Sequence, residues 1–299
     1  MTNLSIIIPS RNDLYLSKTV DDIFVKATGD IEVIVVLDGK TTYPLPSPHP
    51  KLQYIEKPKP RGMRSAINDA SIIAKGKYLL KADSHCMFAE GFDEVLIKDC
   101  DDDWVVVPRR HTFSPRSWEV LPHTLVDYHY LSCPWNNTKM FVSVCCPWMS
   151  RTVERSNTVL DDTMTFQGSV WMTSADYFRN RLHRLSEEGH GTFASEPQEI
   201  GNKTWLGGGR VVVNKNTWYA HLPPGVASIH RGYRLSDINM WQGLIYSAHY
   251  WTENKWESRI HDFDWLIDKF WPLPMATTLS RGEKYYWPEN WREYYDGTL

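Results

Sequence analysis

An aspartate and a histidine two residues apart, Asp83 and His85, follow directly on the apolar run Lys77 to Ala82. If that run is a buried strand, both side chains project into the crevice at its carboxyl end. A carboxylate oxygen and an imidazole nitrogen together suit a borderline divalent ion such as Mn²⁺, with Mg²⁺ as the harder alternative. An ion there would bridge a diphosphate and neutralise the charge that develops on a leaving nucleotide. The same two residues also fit a capped strand-to-helix turn carrying an incidental histidine.

The elements around this pair decide between those readings. Leu4 to Pro9 and Ile31 to Leu37 read as buried strands, Leu52 to Glu56 as a third and Lys77 to Ala82 as a fourth. Leu14 to Lys26 and Arg61 to Ala74 carry helical spacing between them. This β-α-β-β-α-β order predicts an α/β fold, with a mainly parallel central sheet and helices on both faces. Ligands of such sheets bind past the carboxyl ends of the strands. Ser10-Arg11-Asn12, Asp38-Gly39 and Asp83-Ser84-His85 all stand at those ends.

Further along, Glu90 to Lys98 predicts a helix and Trp104 to Pro108 a strand. Residues 111–165 hold prolines, scattered aromatics and a polar stretch, and read as loop-rich, an acceptor-side insertion. Phe166 to Met172 resumes the core, Ser174 to Leu185 predicts a helix, and Glu196 to Trp205 another. Arg210 to Val213 is a strand and Thr217 to His221 extended. Residues 1–225 are expected to form one domain. Residues 226–299 are expected to add an aromatic-rich appendage with a helix over Trp241 to Trp251.

Composition narrows the class. A chain of 299 residues with net charge −3 can bury a large core and is not a polycation coating nucleic acid, although a local basic groove remains compatible. No apolar run is long enough for a membrane span, and the N-terminus lacks the basic region of a signal peptide. The five cysteines include the vicinal pair Cys145-Cys146 and no C-x-x-C, so reduced thiols and a cytoplasmic location are expected. Of 14 tryptophans most follow residue 200. They read mainly as core, with some available to stack on sugar rings or bases.

Lys81-Ala82-Asp83-Ser84-His85-Cys86 resembles the metal-binding D-x-D or D-x-H motif of GT-A glycosyltransferases, and in detail the D-S-H-C motif of the polypeptide N-acetylgalactosaminyltransferases. Arg61-Gly62-Met63-Arg64-Ser65-Ala66 is similar to that family's donor-contacting arginine stretch. Ser5 to Asn12 resembles the opening strand and uridine-binding loop of family 2 glycosyltransferases. Glu196-Pro197-Gln198-Glu199, with Trp205 and Gly208-Gly209, parallels the family's G-G-E-N-x-E helix. The similarity spans roughly residues 3–225. Three features depart from it: Ala194-Ser195 replaces the Gly-Gly before Glu196, the loop carrying Asp38 has one acid where many relatives have two, and the C-terminal part shows no lectin repeat.

The resemblance implies a GT-A single-nucleotide-binding fold and a nucleotide-sugar donor, a UDP-sugar. It implies a third metal ligand at His221 beside Asp83 and His85. It places the donor against Pro9, Ser10, Arg11, Asp38, Arg64, Asn68, Ala82, Asp83 and Ser84, with Asp38 reading the base and Arg64 pairing with the diphosphate. As residue types, Asp38 is equally a turn residue before a glycine and Arg64 a solvated helix arginine. Glu196 is the expected base or acceptor-orienting carboxylate, and Glu199, one turn on, shares its helix face.

The acceptor is open to three readings. One is a cell-envelope polysaccharide or other glycan. A second is a hydroxymethylated base in phage DNA. Thr217 to Leu222 with Arg231-Gly232-Tyr233 is similar to phage-type sequences of this group, and His230, Arg231, Tyr233, Arg234 and Trp241 offer cations and stacking faces. The third is a carbohydrate- or nucleotide-binding module without activity.

Overall fold

The computed structural model describes residues 2–133, 145–191, 195–223, 226, 237–274, 287 and 289–292. Its centre is a sheet built on β1 (Leu4–Ser10) and β2 (Ile31–Asp38), which pair in parallel with Ile8 opposite Val35. Both strands are apolar almost throughout because both of their faces are covered, as parallel strands require. Side chains alternate between two cores. Ile7, Ile34 and Val36 enter one, while Ile6, Ile8, Val33 and Val35 enter the other.

β3 (Leu52–Lys57) and β4 (Tyr78–Ala82) flank this pair, and the full order is β10-β12-β6-β11-β4-β1-β2-β3. Within it only β10 (Leu160–Asp162) and β11 (Val170–Ser174) run against the common direction. The expected mainly parallel sheet is therefore present. Helices α1 (Leu16–Lys26) and α3 (Phe92–Lys98) cover one face, burying Leu16, Val20, Ile23, Phe92 and Leu96. Helices α2 (Met63–Ile73) and α5 (Glu196–Leu206) cover the other, through Ala66, Ile67, Ala70, Ile200 and Trp205.

One strand matters most for the site. Arg210 to His221, expected as two pieces, forms a single strand β12 (Arg210–His221). It lies parallel to β6 (Trp104–Ser114), with a register shift between Asn214 and Trp218. Asn214 and Asn216 both bond to Asp99 at this irregularity, at 2.9 and 3.1 Å. Beyond it, β12 also takes β5 (Cys86–Phe88) as an antiparallel partner, with His221 opposite Cys86.

Other expectations change. Residues 111–165 are less loop-rich than their composition implies. They hold the end of β6, then β7 (Glu119–Leu121), β8 (His129–Leu131), β9 (Cys145–Pro147), α4 (Met149–Glu154) and β10. The helix expected over Ser174 to Leu185 shrinks to one π-turn, Tyr177–Arg181, because His183 and Arg184 turn to φ of 54° and 61°. The C-terminal residues form α6 (Asp237–Thr252) and an unforeseen helix, α7 (Phe263–Phe270).

These C-terminal helices are not a detached appendage. Trp251, Trp256, Phe263, Leu266, Ile267, Phe270, Trp287 and Trp291 enter the same core as Trp205 and Leu206 of α5. Trp287 Nε1 donates to the carbonyl of Leu131 at 2.7 Å, which ties the far C-terminal segment to β8. Each such aromatic contributes on the order of 2–3 kcal/mol by leaving water. Trp251, Trp256, Trp287 and Trp291 are core residues, while Trp265 and Trp271 pack against that core partly buried. His230, Arg231, Tyr233 and Arg234 lie outside the described residues. Cys86, Cys100, Cys133 and Cys146 are free thiols, and no described helix is long and apolar enough to cross a membrane.

Candidate metal and donor site

β4 ends at Ala82, which is fully buried, and delivers Asp83 to the carboxyl edge of the sheet. The Asp83 amide donates to Ser169 O at 2.8 Å. The next turn is clamped by Thr19 of α1. Its Oγ1 accepts from the Cys86 amide at 3.0 Å and lies 3.1 and 2.9 Å from the carbonyls of Ser84 and Cys86. That clamp fixes the direction of His85. The register of β12 against β5 supplies His221 from the other side, and the Leu222 amide donates to His85 O at 3.3 Å.

Asp83, His85 and His221 consequently each present one ligand atom within 4.8 Å of the others. His221 Nε2 lies 3.1 Å from Asp83 Oδ2, and the two imidazole rings meet at 4.7 Å in an edge-on arrangement. Burial opposes ionisation of Asp83. The Lys81 ammonium and the His221 hydrogen bond overcome it and hold the carboxyl well below its usual range. Burial pushes His221 down to about 4, so its ring is neutral and can offer a lone pair. This donor set fits a first-row divalent ion. His85 has the further support that metal-binding histidines usually carry: its Nδ1 lies 2.8 Å from Asp13 Oδ2.

The remaining donor-side residues divide into two groups. Ser10, at the end of β1, is buried and its Oγ has no hydrogen-bond partner, as expected of a group that awaits a ligand. Pro9 and half-buried Arg11 adjoin it. Asn12 Oδ1 accepts from the Thr42 amide at 2.7 Å and joins this loop to the one after β2. Asp38 accepts from the amides of Arg61 and Gly62 at 2.7 and 2.9 Å, so part of its bonding capacity anchors the start of α2. Gly39 permits that turn with φ of 104°, where a Cβ would meet the Pro60 ring at 2.9 Å. Ser84 is buried beside Asp83.

Arg64, Asn68 and Glu199 form the second group, each bonded to other parts of the chain. Arg64 is 1% exposed and ion-paired with Glu199, which is 0% exposed. Glu199 Oε1 also takes Lys203 at 2.7 Å and the Ser186 amide at 2.8 Å. These cations outweigh the cost of burial and bring the Glu199 carboxyl down to about 2. Arg64 is thus ion-paired within the protein through Nη1, and both oxygens of Glu199 are engaged by cations or an amide. Asn68 bonds to both backbone groups of Leu185, at 2.8 and 3.0 Å. All three hold the chain over residues 185–187.

Glu196 differs from Glu199. It is 1% exposed, its Oε1 accepts from Trp171 Nε1 at 2.5 Å, and its Oε2 has no hydrogen-bond partner. Burial raises its carboxyl above the ordinary value against the opposing charge of Lys81. Lys81 itself is 1% exposed and bridges Asp83 Oδ1 and Gly168 O, both at 2.5 Å. Gly168 in turn packs on Glu196 Oε2. The ion site and the orphaned carboxylate oxygen are thus joined through one buried ammonium.

Sequence reasoning missed Asp13, Arg110, Gly168 and Trp171 and gave Lys81 no role. A lysine inside the apolar run Tyr78 to Ala82 and an aspartate just past β1 are signals it could have used. Arg110 and Trp171 carry none.

The chain matches the model of the family described as "Glycosyl transferase family 2" over residues 5–182, more than half of its length. A curated relative from Caenorhabditis elegans, "Probable N-acetylgalactosaminyltransferase 8", is 28% identical over 157 residues. The match takes in 51% of this chain and 35% of that protein, so only a minor part of the relative's length is represented. Among solved structures, "Crystal structure of GalNAc-T7 with UDP, GalNAc and Mn2+" aligns with a TM-score of 0.62 at 17% identity. It covers 88% of this chain and 53% of that one, and the likeness is one of fold. The family match runs from β1 through β11 and takes in two of the three residues of the candidate ion site, Asp83 and His85, and the chain belongs to glycosyl transferase family 2.

Proposed function

We propose that the chain transfers a hexosyl group from a UDP-sugar to an acceptor hydroxyl, with a divalent cation, Mn²⁺ first, at Asp83, His85 and His221. The observation that carries this reading is the meeting of those three side chains, linked through Lys81 to a buried carboxylate with one unpaired oxygen, Glu196. An ion held there supplies positive charge against the leaving diphosphate. N-acetylgalactosamine is the first sugar to test, since both similar proteins carry it in their names.

The chain's own residues act around that charge. Ser10 and Arg11 face the nucleoside side, and Asp38 shapes the loop that meets it. Asp13 and Thr19 fix His85, and Lys81 keeps Asp83 ionised. Glu196 Oε2 takes the acceptor proton if the anomeric carbon inverts, or orients the acceptor hydroxyl if it does not. Burial at this position excludes the water that would compete as acceptor.

Donor hydrolysis and transfer decide the matter. The chain is incubated with a panel of UDP-sugars and Mn²⁺, against simple glycans, hydroxyl-bearing peptides and hydroxymethylated duplex DNA, with products read by mass spectrometry. Release of UDP that stops in chelator and in Asp83→Asn supports the reading. UDP binding without any sugar release would instead mark an inactive nucleotide-binding module. A product on DNA would support the phage-type acceptor, and strong salt dependence of its binding would accompany it.

A further inference from the structure

We propose that Arg110 is a second donor-binding cation of this site, parked on His221 until ion and diphosphate arrive. The proposal rests on the donor reading above and deepens it. In the parallel ladder of β6 and β12, Arg110 lies opposite Tyr219 and Thr112 opposite His221. Alternation then puts the Arg110 and His221 side chains on one face of the sheet. Arg110 Nη2 reaches to 3.3 Å from His221 Nδ1, on the opposite side of the ring from Asp83.

Arg110 is short of an anion. It is half-buried, its Nε is buried without a hydrogen-bond partner, and no carboxylate among the described residues pairs with it. The carboxylates nearby are committed elsewhere. Asp127 holds Arg109 through two bonds of 2.8 Å, and Asp83 holds Lys81. The charge of Arg110 is felt by its neighbours: burial first, and then this guanidinium, press His129 down to about 3. A partly buried guanidinium without a counter-charge is costly, and a site built to receive a diphosphate supplies the missing anion. Arg64, the arginine that the sequence resemblance nominates for that contact, is ion-paired with Glu199, whereas Arg110 has no carboxylate partner among the described residues.

The contact with His221 also couples the two ligands. Arg110 can donate only to a lone pair on Nδ1, which leaves the ring proton on Nε2, facing Asp83. Were Nε2 to hold an ion, the neutral ring would carry its proton on Nδ1, and that N–H would confront the Arg110 N–H at the 3.3 Å contact. Arg110 would then be released from His221 and could offer its guanidinium fork, whose paired N–H groups match phosphate oxygens, to the diphosphate. Arg110 therefore opposes the ion alone and favours the ion with diphosphate.

The test is calorimetry on the full chain with three probes: Mn²⁺ alone, UDP with Mn²⁺, and uridine. In Arg110→Ala, Mn²⁺ alone should bind as tightly as in wild type or more so. UDP with Mn²⁺ should weaken about tenfold or more, the scale of one charge-assisted contact. Uridine should bind unchanged. Arg110→Lys should recover part of the UDP loss and serves if the alanine variant fails to fold. Unchanged UDP affinity, or equal losses for Mn²⁺ alone and uridine, would overturn the proposal. Wild-type chain that binds no UDP in Mn²⁺ would overturn the donor reading itself and this inference with it, and that result is distinct from a wild type that binds UDP and an Arg110→Ala that binds it equally.

Discussion

Asp13 Oδ2 lies 2.8 Å from His85 Nδ1 across 72 residues of chain. The carboxylate accepts a hydrogen bond from Nδ1–H, which holds the proton there and leaves Nε2 of His85 for an ion. His85's proton affinity reflects the same contact: burial lowers it, and the Asp13 bond and charge raise it further than burial lowers it. Asp13→Asn keeps the shape but loses the charge. Mn²⁺ affinity, followed by electron paramagnetic resonance, should fall about 10- to 100-fold, with little change in melting temperature. Unchanged affinity would remove Asp13 from the site.

Glu199 is one of the carboxylates that contribute to stability against acid. Its folded carboxyl sits at about 2 against 4.5 when free, so the unfolded chain binds the proton more readily. The stability this supplies is complete above about pH 5 and is lost as pH falls toward 2, worth roughly 3 kcal/mol for the shift. Urea unfolding from pH 7 to 3 should show that loss. Glu199→Gln leaves Arg64 buried without its counter-charge, so it should cost about 3–5 kcal/mol at pH 7 and flatten the acid limb. Parallel acid limbs in both proteins would contradict the assignment.

The legible parts of this protein are those whose signal is local. Asp83 and His85 stand two apart after an apolar strand, and that pattern is visible in the sequence. His221 is not legible from spacing, because a strand register against Cys86 brings it in from 138 residues beyond Asp83. It was reached only through resemblance. Arg64 and Glu199 show a second kind of long-range contact that spacing does not record. Their types suit phosphate and proton chemistry, but they meet each other across 135 residues, and no local pattern records that pairing. Helix α7 had a usable signal, since Phe263, Leu266, Ile267 and Phe270 fall at helical spacing. The density of aromatics around it obscured that period.

Gly168 has no room for a side chain. A Cβ there would stand 2.3 Å from Glu196 Oε2 and 3.0 Å from the Pro197 ring. Glu196 is held by Trp171 and cannot retreat without breaking that bond. Gly168→Ala should therefore displace the carboxylate, lower turnover at least tenfold and destabilise the fold by about 1–3 kcal/mol. Trp171 fluorescence should report the disturbance. Wild-type turnover in this variant would mean that the position of Glu196 Oε2 is immaterial.

Glu196→Gln separates function from stability. Burial raises the Glu196 carboxyl, so the folded chain binds its proton more readily than the unfolded chain. The linkage sign follows: stability falls as pH rises through the raised value, and the ionised form is a burden on the fold at pH 8. Glutamine keeps an oxygen for Trp171 Nε1 and removes the charge. The variant should melt at the same temperature as wild type or higher at pH 8, while kcat falls about 10²- to 10⁴-fold and donor affinity stays within a few-fold. In wild type, turnover should rise with pH along a limb displaced above the ordinary carboxylate range, because only the ionised carboxylate accepts a proton. That limb should vanish in the variant. A fall in donor affinity as large as the fall in kcat would make Glu196 a binding residue, and a lower melting temperature at pH 8 would show that its charge is neutralised by the fold after all.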